Sequence, residues 1–173
     1  MYRVLRKIFS TGIVTEPVER DATFEALGQA VKRGVDRHFQ GALNIRQVDA
    51  GSCNGCELEI HALNNPFYDI ERFGIHFVAS PRHADLLLVT GPVTRHMEAA
   101  LRLTWEAAAD PKWVIAAGSC AAGEGIYDEN YACVGAVSKV IPVDLVIPGC
   151  PPTPEMLLKG ILALMESPAM QRR

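Results

Sequence analysis

The 173-residue chain carries 17 Lys and Arg against 20 Asp and Glu, a net charge of -3, with 49% hydrophobic and 21% charged residues. This size and balance give one domain with its own core, exclude a disordered chain and supply none of the bulk positive charge that nucleic-acid binders present. No run of about 18 uncharged apolar residues occurs, so no transmembrane helix is expected.

The start, MYRVLRKIFSTGIVTEPVER, is basic and mildly apolar. It lacks the continuous apolar stretch and small-residue cleavage site of a secretory signal, and Arg3 and Arg6 are not adjacent as a twin-arginine signal requires. The expected compartment is the cytoplasm, where the five cysteines are free, catalytic or metal-bound rather than bridged. After Pro17, the segment DATFEALGQAVKRGVDRHFQG spaces Phe24, Leu27, Val31, Val35 and Phe39 by three or four, with Asp21 or Thr23 to cap it. It reads as an amphipathic helix, packed either on its own domain or against a partner or membrane surface. Gly28 and Gly34 weaken it by about 1 kcal/mol each. Residues 1–42 are thus read as an N-terminal extension, and 43–173 as the main domain.

From Ala42 the pattern alternates. ALNIRQVDAG reads as a strand ending in glycine, and NGCELEIHALNN as a helix stopping before Pro66. ADLLLVTGPV is a nearly continuous apolar run, the mark of a strand buried on both faces. TRHMEAALRLTWEAAAD reads as a helix, with Val93, Met97, Leu101, Trp105 and Ala108 spaced like one helix face, and KWVIAAGSC and VDLVIPGC repeat the strand pattern. TPEMLLKGILALM opens with a Thr153 cap and Pro154 at the first helical position. The order is that of an α/β domain with a mainly parallel sheet flanked by helices.

Cys53, Cys120 and Cys150 each follow a strand and a glycine closely, and Cys56 lies one turn beyond the first. In open parallel sheets, ligands bind beyond the carboxyl ends of the strands, where these four thiols could converge. Structural zinc suits four thiolates but usually uses two close pairs, and only Cys53 and Cys56 form one. A dithiol redox pair leaves Cys120 and Cys150 unused. Cys150 before Pro151 matches the cysteine-proline of a ferredoxin motif, which points first to an iron–sulfur cluster, with zinc and the dithiol as rivals. Cys133, in ENYACVGAV, lacks the strand-glycine context and reads as a buried apolar residue.

Four motifs in order, GSCNGCELEI, YDIERFGIHFVASPRHADLLLVTGPVT, AAGSCAAGEGIY and VIPGCPPTPEMLLKGI, resemble the cluster-bearing subunit shared by respiratory complex I and the membrane-bound, energy-converting [NiFe] hydrogenases. The resemblance covers about residues 43–166 and implies a flavodoxin-like fold. It also implies one [4Fe-4S] cluster held by Cys53, Cys56, Cys120 and Cys150. The complex I form has two adjacent cysteines at the first position, whereas this chain has Cys53-Asn54-Gly55-Cys56, as in the branch of formate hydrogenlyase and hydrogenase-4.

The resemblance further implies an electron-transfer subunit of an oxidoreductase complex peripheral to the cytoplasmic side of the cell membrane. Its partners would be a ferredoxin-like subunit, a large subunit holding the catalytic [NiFe] site, and membrane subunits. The alternative is the equivalent subunit of a complex I-like quinone or ferredoxin oxidoreductase without nickel. A soluble FMN binder fits poorly, because cysteines stand where a hydroxyl-rich phosphate loop would follow the first strand.

Around the thiols, Gly51, Gly55, Gly118 and Gly149 offer tight turns and close backbone approach. Glu57 and Glu59 are candidate proton carriers beside the ligands, against the plainer reading of exposed first-turn acids. Arg82, His83, Arg95 and His96 are read as loop residues facing a partner or tuning the cluster, not as ligands.

Overall fold

The computed structural model describes residues 2–12, 21–127 and 129–171. Pro17, which set the basic start apart from the amphipathic segment, lies outside them.

Five strands, β1 (Leu43–Asp49), β2 (Ile75–Phe77), β3 (Leu86–Thr90), β4 (Trp113–Ala117) and β5 (Leu145–Ile147), form one sheet in which every neighbouring pair is parallel. Its order, β2-β1-β3-β4-β5, is the flavodoxin-like order, as the family resemblance implies. All residues of β3 and β4 are buried, which explains their unbroken apolar sequence. Successive side chains point to opposite faces. Leu86 and Leu88 join one core layer and Leu87 and Val89 the other. Full burial of each such leucine stabilises the fold by roughly 1.5–3 kcal/mol.

One face of the sheet is covered by α2 (Ala22–Phe39), α3 (Gly55–Ala62) and α6 (Pro154–Glu166), the other by α4 (Arg95–Ala107) with Leu101 buried at its centre. The amphipathic segment is therefore packed on the body of the chain. Asp21 is its cap, its carboxylate accepting N–H bonds from Thr23 and Phe24. The hydroxyl and amide of Thr23 hold that carboxyl below its usual range. Thr153 caps α6 in the same way, its hydroxyl accepting from the amide of Met156. A first helix, α1 (Tyr2–Thr11), buries no residue at all.

Gly28 lies where α2 meets the ring of Phe73, and a Cβ there would run into that ring. The helix gives up about 1 kcal/mol of propensity to allow this contact. Gly28→Ala should therefore lower stability by about 1 kcal/mol or more, overpacking outweighing the propensity gain. The check is the urea midpoint at unchanged slope; a midpoint equal to or above that of the natural chain would contradict this packing.

Two features carry no sequence signal. β2 is a three-residue edge strand, too short to show a period, and Cys133–Gly135 pairs antiparallel with Val93–Thr94 as a separate ribbon. Val93 therefore leaves the helix face its spacing suggested, because its backbone is paired with Gly135 and the helix starts only at Arg95.

Candidate functional site

The carboxyl ends of β1, β4 and β5 open onto the loops that carry the four cysteines. After β1, Asp49 folds its carboxylate back to accept the amides of Gly51 and Ser52 at 2.8 Å each, and Ser52 Oγ accepts from Asn54 N–H at 3.0 Å. These local bonds stiffen the turn. Asn54 then starts α3 in the left-handed region. Cys53 precedes it and Cys56 stands in the first turn, so both lie at the positive end of the helix.

After β4, Gly118 N–H donates to Ile147 O and Ser119 N–H to Gly149 O, both at 2.8 Å. These bonds join the loops of β4 and β5 and fix Cys120, in the short helix α5 (Ser119–Ala122), relative to Cys150. The chain between Cys120 and the 133–135 ribbon is also pinned. Arg95 donates from Nε to Tyr131 O at 3.0 Å, and Asn130 Oδ1 accepts from Ala132 and Cys133 N–H.

All five cysteines are unbridged. Cys53 and Cys150 are exposed, Cys56 and Cys120 half-buried and Cys133 buried, so Cys133 occupies the apolar position its context predicted. Burial pushes the Cys56 thiol from 9.0 up to about 11, and Glu57, Cys53, Cys120 and Cys150 add to the shift as neighbouring charges. Burial also raises Cys120; the backbone N–H groups of Tyr127 and Ile126 oppose the rise, while Cys150 and Cys53 contribute to it. The four thiols singled out in the sequence are thus mutual electrostatic neighbours. Among the described residues, no three His, Cys, Asp or Glu side chains form a compact group around a single ion position.

This donor set is rich in sulfur and poor in competing ligands, which suits a group bound through thiolates. The backbone leaves room for it. A Cβ on Gly118 would lie 2.7 Å from Cys56 Sγ, and one on Gly125 would run into Cys120 Sγ. Gly51, Gly118 and Gly149 have positive φ. Gly55 does not, and a Cβ there would make only ordinary contacts, the nearest 3.6 Å from Cys53 Sγ. The special conformation expected at Gly55 belongs to Asn54 instead.

Glu57 is 4% exposed, and neither carboxylate oxygen has a hydrogen-bond partner among the described residues. The plain reading of an exposed first-turn acid fails for it. Glu59 is half-buried. Arg82 and His83 lie just ahead of β3, at the amino end of the strands and so opposite the cysteines, and His96 is exposed on α4. The Ile126 and Tyr127 amides and Gly125 were not singled out in the sequence; the clue was the pair of glycines in AAGEGIY.

In the metal-free chain, Cys56 should alkylate more slowly than the exposed Cys53 in a timed, mass-resolved reaction. Its raised pKa favours the neutral thiol, so any contribution to stability is complete below about pH 9 and is lost as pH rises through about 11. Equal rates for the two thiols would contradict the burial of Cys56.

The family described as NADH ubiquinone oxidoreductase, 20 Kd subunit, matches residues 53–164. Formate hydrogenlyase subunit 7 of Escherichia coli is 45% identical over 140 residues, covering 79% of this chain, and the chain spans 55% of that relative's length. The probable membrane-bound hydrogenase subunit mbhJ of Pyrococcus furiosus is 48% identical over 122 residues, covering 70% of this chain and 73% of that one. Among solved structures, the membrane-bound sulfane sulfur reductase, an archaeal respiratory membrane complex, contains a chain that aligns with TM-score 0.65 and 41% identity over 79% of this chain and 74% of its own. These matches establish that the chain belongs to the family of the NADH ubiquinone oxidoreductase 20 Kd subunit, which its hydrogenase relatives share.

Proposed function

We infer that the chain is the electron-transfer subunit of a membrane-associated oxidoreductase complex of the [NiFe] hydrogenase type, with Cys53, Cys56, Cys120 and Cys150 holding one [4Fe-4S] cluster. The observation that carries this reading is that four thiols from three separate loops are electrostatic neighbours at the carboxyl end of the sheet. Such a cluster, when bound, supplies a one-electron site whose potential depends on ligands, hydrogen bonds and burial.

The chain's own residues set those conditions. The Ile126 and Tyr127 amides face Cys120 and favour negative charge on its sulfur. Arg95 and Asn130 hold the loop that carries them. Cys53 and Cys150 are exposed, and Leu58, Ile126, Tyr127 and Met156 expose apolar surface in the elements and loops around them. A partner covering this face would exclude water from the thiols. The proposed partners are a large subunit with the [NiFe] site on this side, a ferredoxin-like subunit as the electron relay, and membrane subunits, with this chain on the cytoplasmic side of the membrane. Among the described residues no helix is long and apolar enough to cross a membrane, which accords with a peripheral place.

Glu57 and Glu59 are proposed as proton carriers under the same covering partner. Glu57→Gln should leave iron content unchanged and slow turnover of the assembled complex by at least about tenfold, with a smaller effect for Glu59→Gln. Natural turnover in both variants would remove the proton role.

The similarity to a sulfane sulfur reductase favours one second reading, the equivalent subunit of a nickel-free respiratory complex. The test is to purify the chain anaerobically with its partners and measure nickel and hydrogen turnover. Nickel with hydrogen turnover supports the hydrogenase assignment, and iron without nickel supports the second reading.

A further inference from the structure

Helix α1 has an amphipathic division and buries none of its residues against the other described residues. Its sequence, YRVLRKIFST, places Val4, Leu5, Ile8, Phe9 and Tyr2 in one arc and Arg3, Arg6, Lys7, Ser10 and Thr11 in the other. At about 100° per residue the two arcs do not overlap. All five apolar side chains are exposed, from 47% at Leu5 to 84% at Phe9. About 15 Å long, the helix is far too short to span a bilayer. A helix of this length is also marginal in water unless its apolar face is covered.

Charge decides what covers it. α1 holds three of the chain's 17 basic residues and none of its 20 acidic ones, so the remainder carries 14 basic against 20 acidic side chains. An anionic surface would repel the net negative charge of the remainder and attract this helix, which has no acidic residue. We propose that α1 lies in the plane of an anionic lipid bilayer, its apolar arc among the upper acyl chains and Arg3, Arg6 and Lys7 at the headgroups. Tyr2 and Phe9, with aromatic rings close to the basic arc, suit the boundary between the two. The helix thereby gives an otherwise acidic peripheral chain its own membrane contact, independent of the thiol site.

The full chain is sedimented with vesicles of phosphatidylcholine alone and of phosphatidylcholine with phosphatidylglycerol, at low and high salt. Each cation near such a surface is worth about a fivefold gain in binding, so the anionic vesicles should bind on the order of 100-fold more tightly at low salt. Arg3→Gln, Arg6→Gln and Lys7→Gln together should abolish that difference, and Ile8→Asp with Phe9→Asp should abolish binding to both vesicle types. None of these side chains is buried, and unchanged circular dichroism confirms that each variant is folded. Equal binding to both vesicle types, or variants that bind like the natural chain, would overturn the proposal. So would loss of co-purifying subunits from the Ile8→Asp, Phe9→Asp variant without any vesicle binding by the natural chain, because the face would then be a protein contact. The readout requires no electron transfer, so its failure leaves the thiol reading standing.

Discussion

Cys120→Ser is expected to strip the chain of most of its iron and to abolish electron transfer through it. Loss of an outer-shell partner typically costs about 10–100-fold in metal affinity, and removal of a direct thiolate ligand should exceed that. Cys120 is held in position by α5, by the bond from Ser119 N–H to Gly149 O and by the amides of Tyr127 and Ile126. Cys133→Ser is the matched control. Its side chain is buried in the 133–135 ribbon, and the expected result is unchanged iron with a stability loss of about 1–3 kcal/mol from burying an unpaired hydroxyl. Iron per chain, measured on both variants, checks the pair. Equal iron in Cys120→Ser and the natural chain would remove Cys120 from the ligand set.

Gly118→Ala is expected to have the second largest effect. Gly118 sits at φ 95 and ψ 155 between β4 and α5, a conformation that side-chain-bearing residues adopt only at a cost of about 1–3 kcal/mol. The new Cβ would lie 2.7 Å from Cys56 Sγ and 3.4 Å from Gly149 O. The backbone cannot retreat easily, because Gly118 N–H is bonded to Ile147 O. The sulfur must therefore move, and the prediction is lowered thermal stability together with iron loss. Gly55→Ala, three residues from Leu58 in the same ligand region, meets only ordinary contacts and should retain its iron. Iron retention in Gly118→Ala at natural stability would show that the backbone does not constrain the Cys56 sulfur.

The parts of this architecture that could be read in the sequence are those where burial leaves a long signature. β3 and β4 show it as unbroken apolar runs, α6 as a Thr-Pro start before a periodic face, and the thiol site as glycine and cysteine recurring after strands. β2 could not be read because three residues at a sheet edge bury too little to impose a period. For Glu57, the plainer alternative to a proton carrier was an exposed first-turn acid, read from its chemistry. Its spacing said otherwise, since it lies three residues before the buried Ile60 and shares its helix face. Gly28 and Gly34 read as helix weaknesses because propensity is local. Their purpose appears only when Phe73 and Met165 arrive from distant parts of the chain. The Ile126 and Tyr127 amides were invisible for a related reason: backbone direction in an irregular loop depends on its anchors, here Arg95 and Asn130.

On the proposed function, four thiols of this chain hold one multi-iron cluster. Low-temperature electron paramagnetic resonance of the anaerobically purified, chemically reduced complex, with iron, sulfide and zinc quantified in the same sample, tests it most directly. The expected result is about four irons assignable to this chain and a reduced-state signal that disappears in Cys120→Ser. Zinc bound to the chain with no such signal would contradict it.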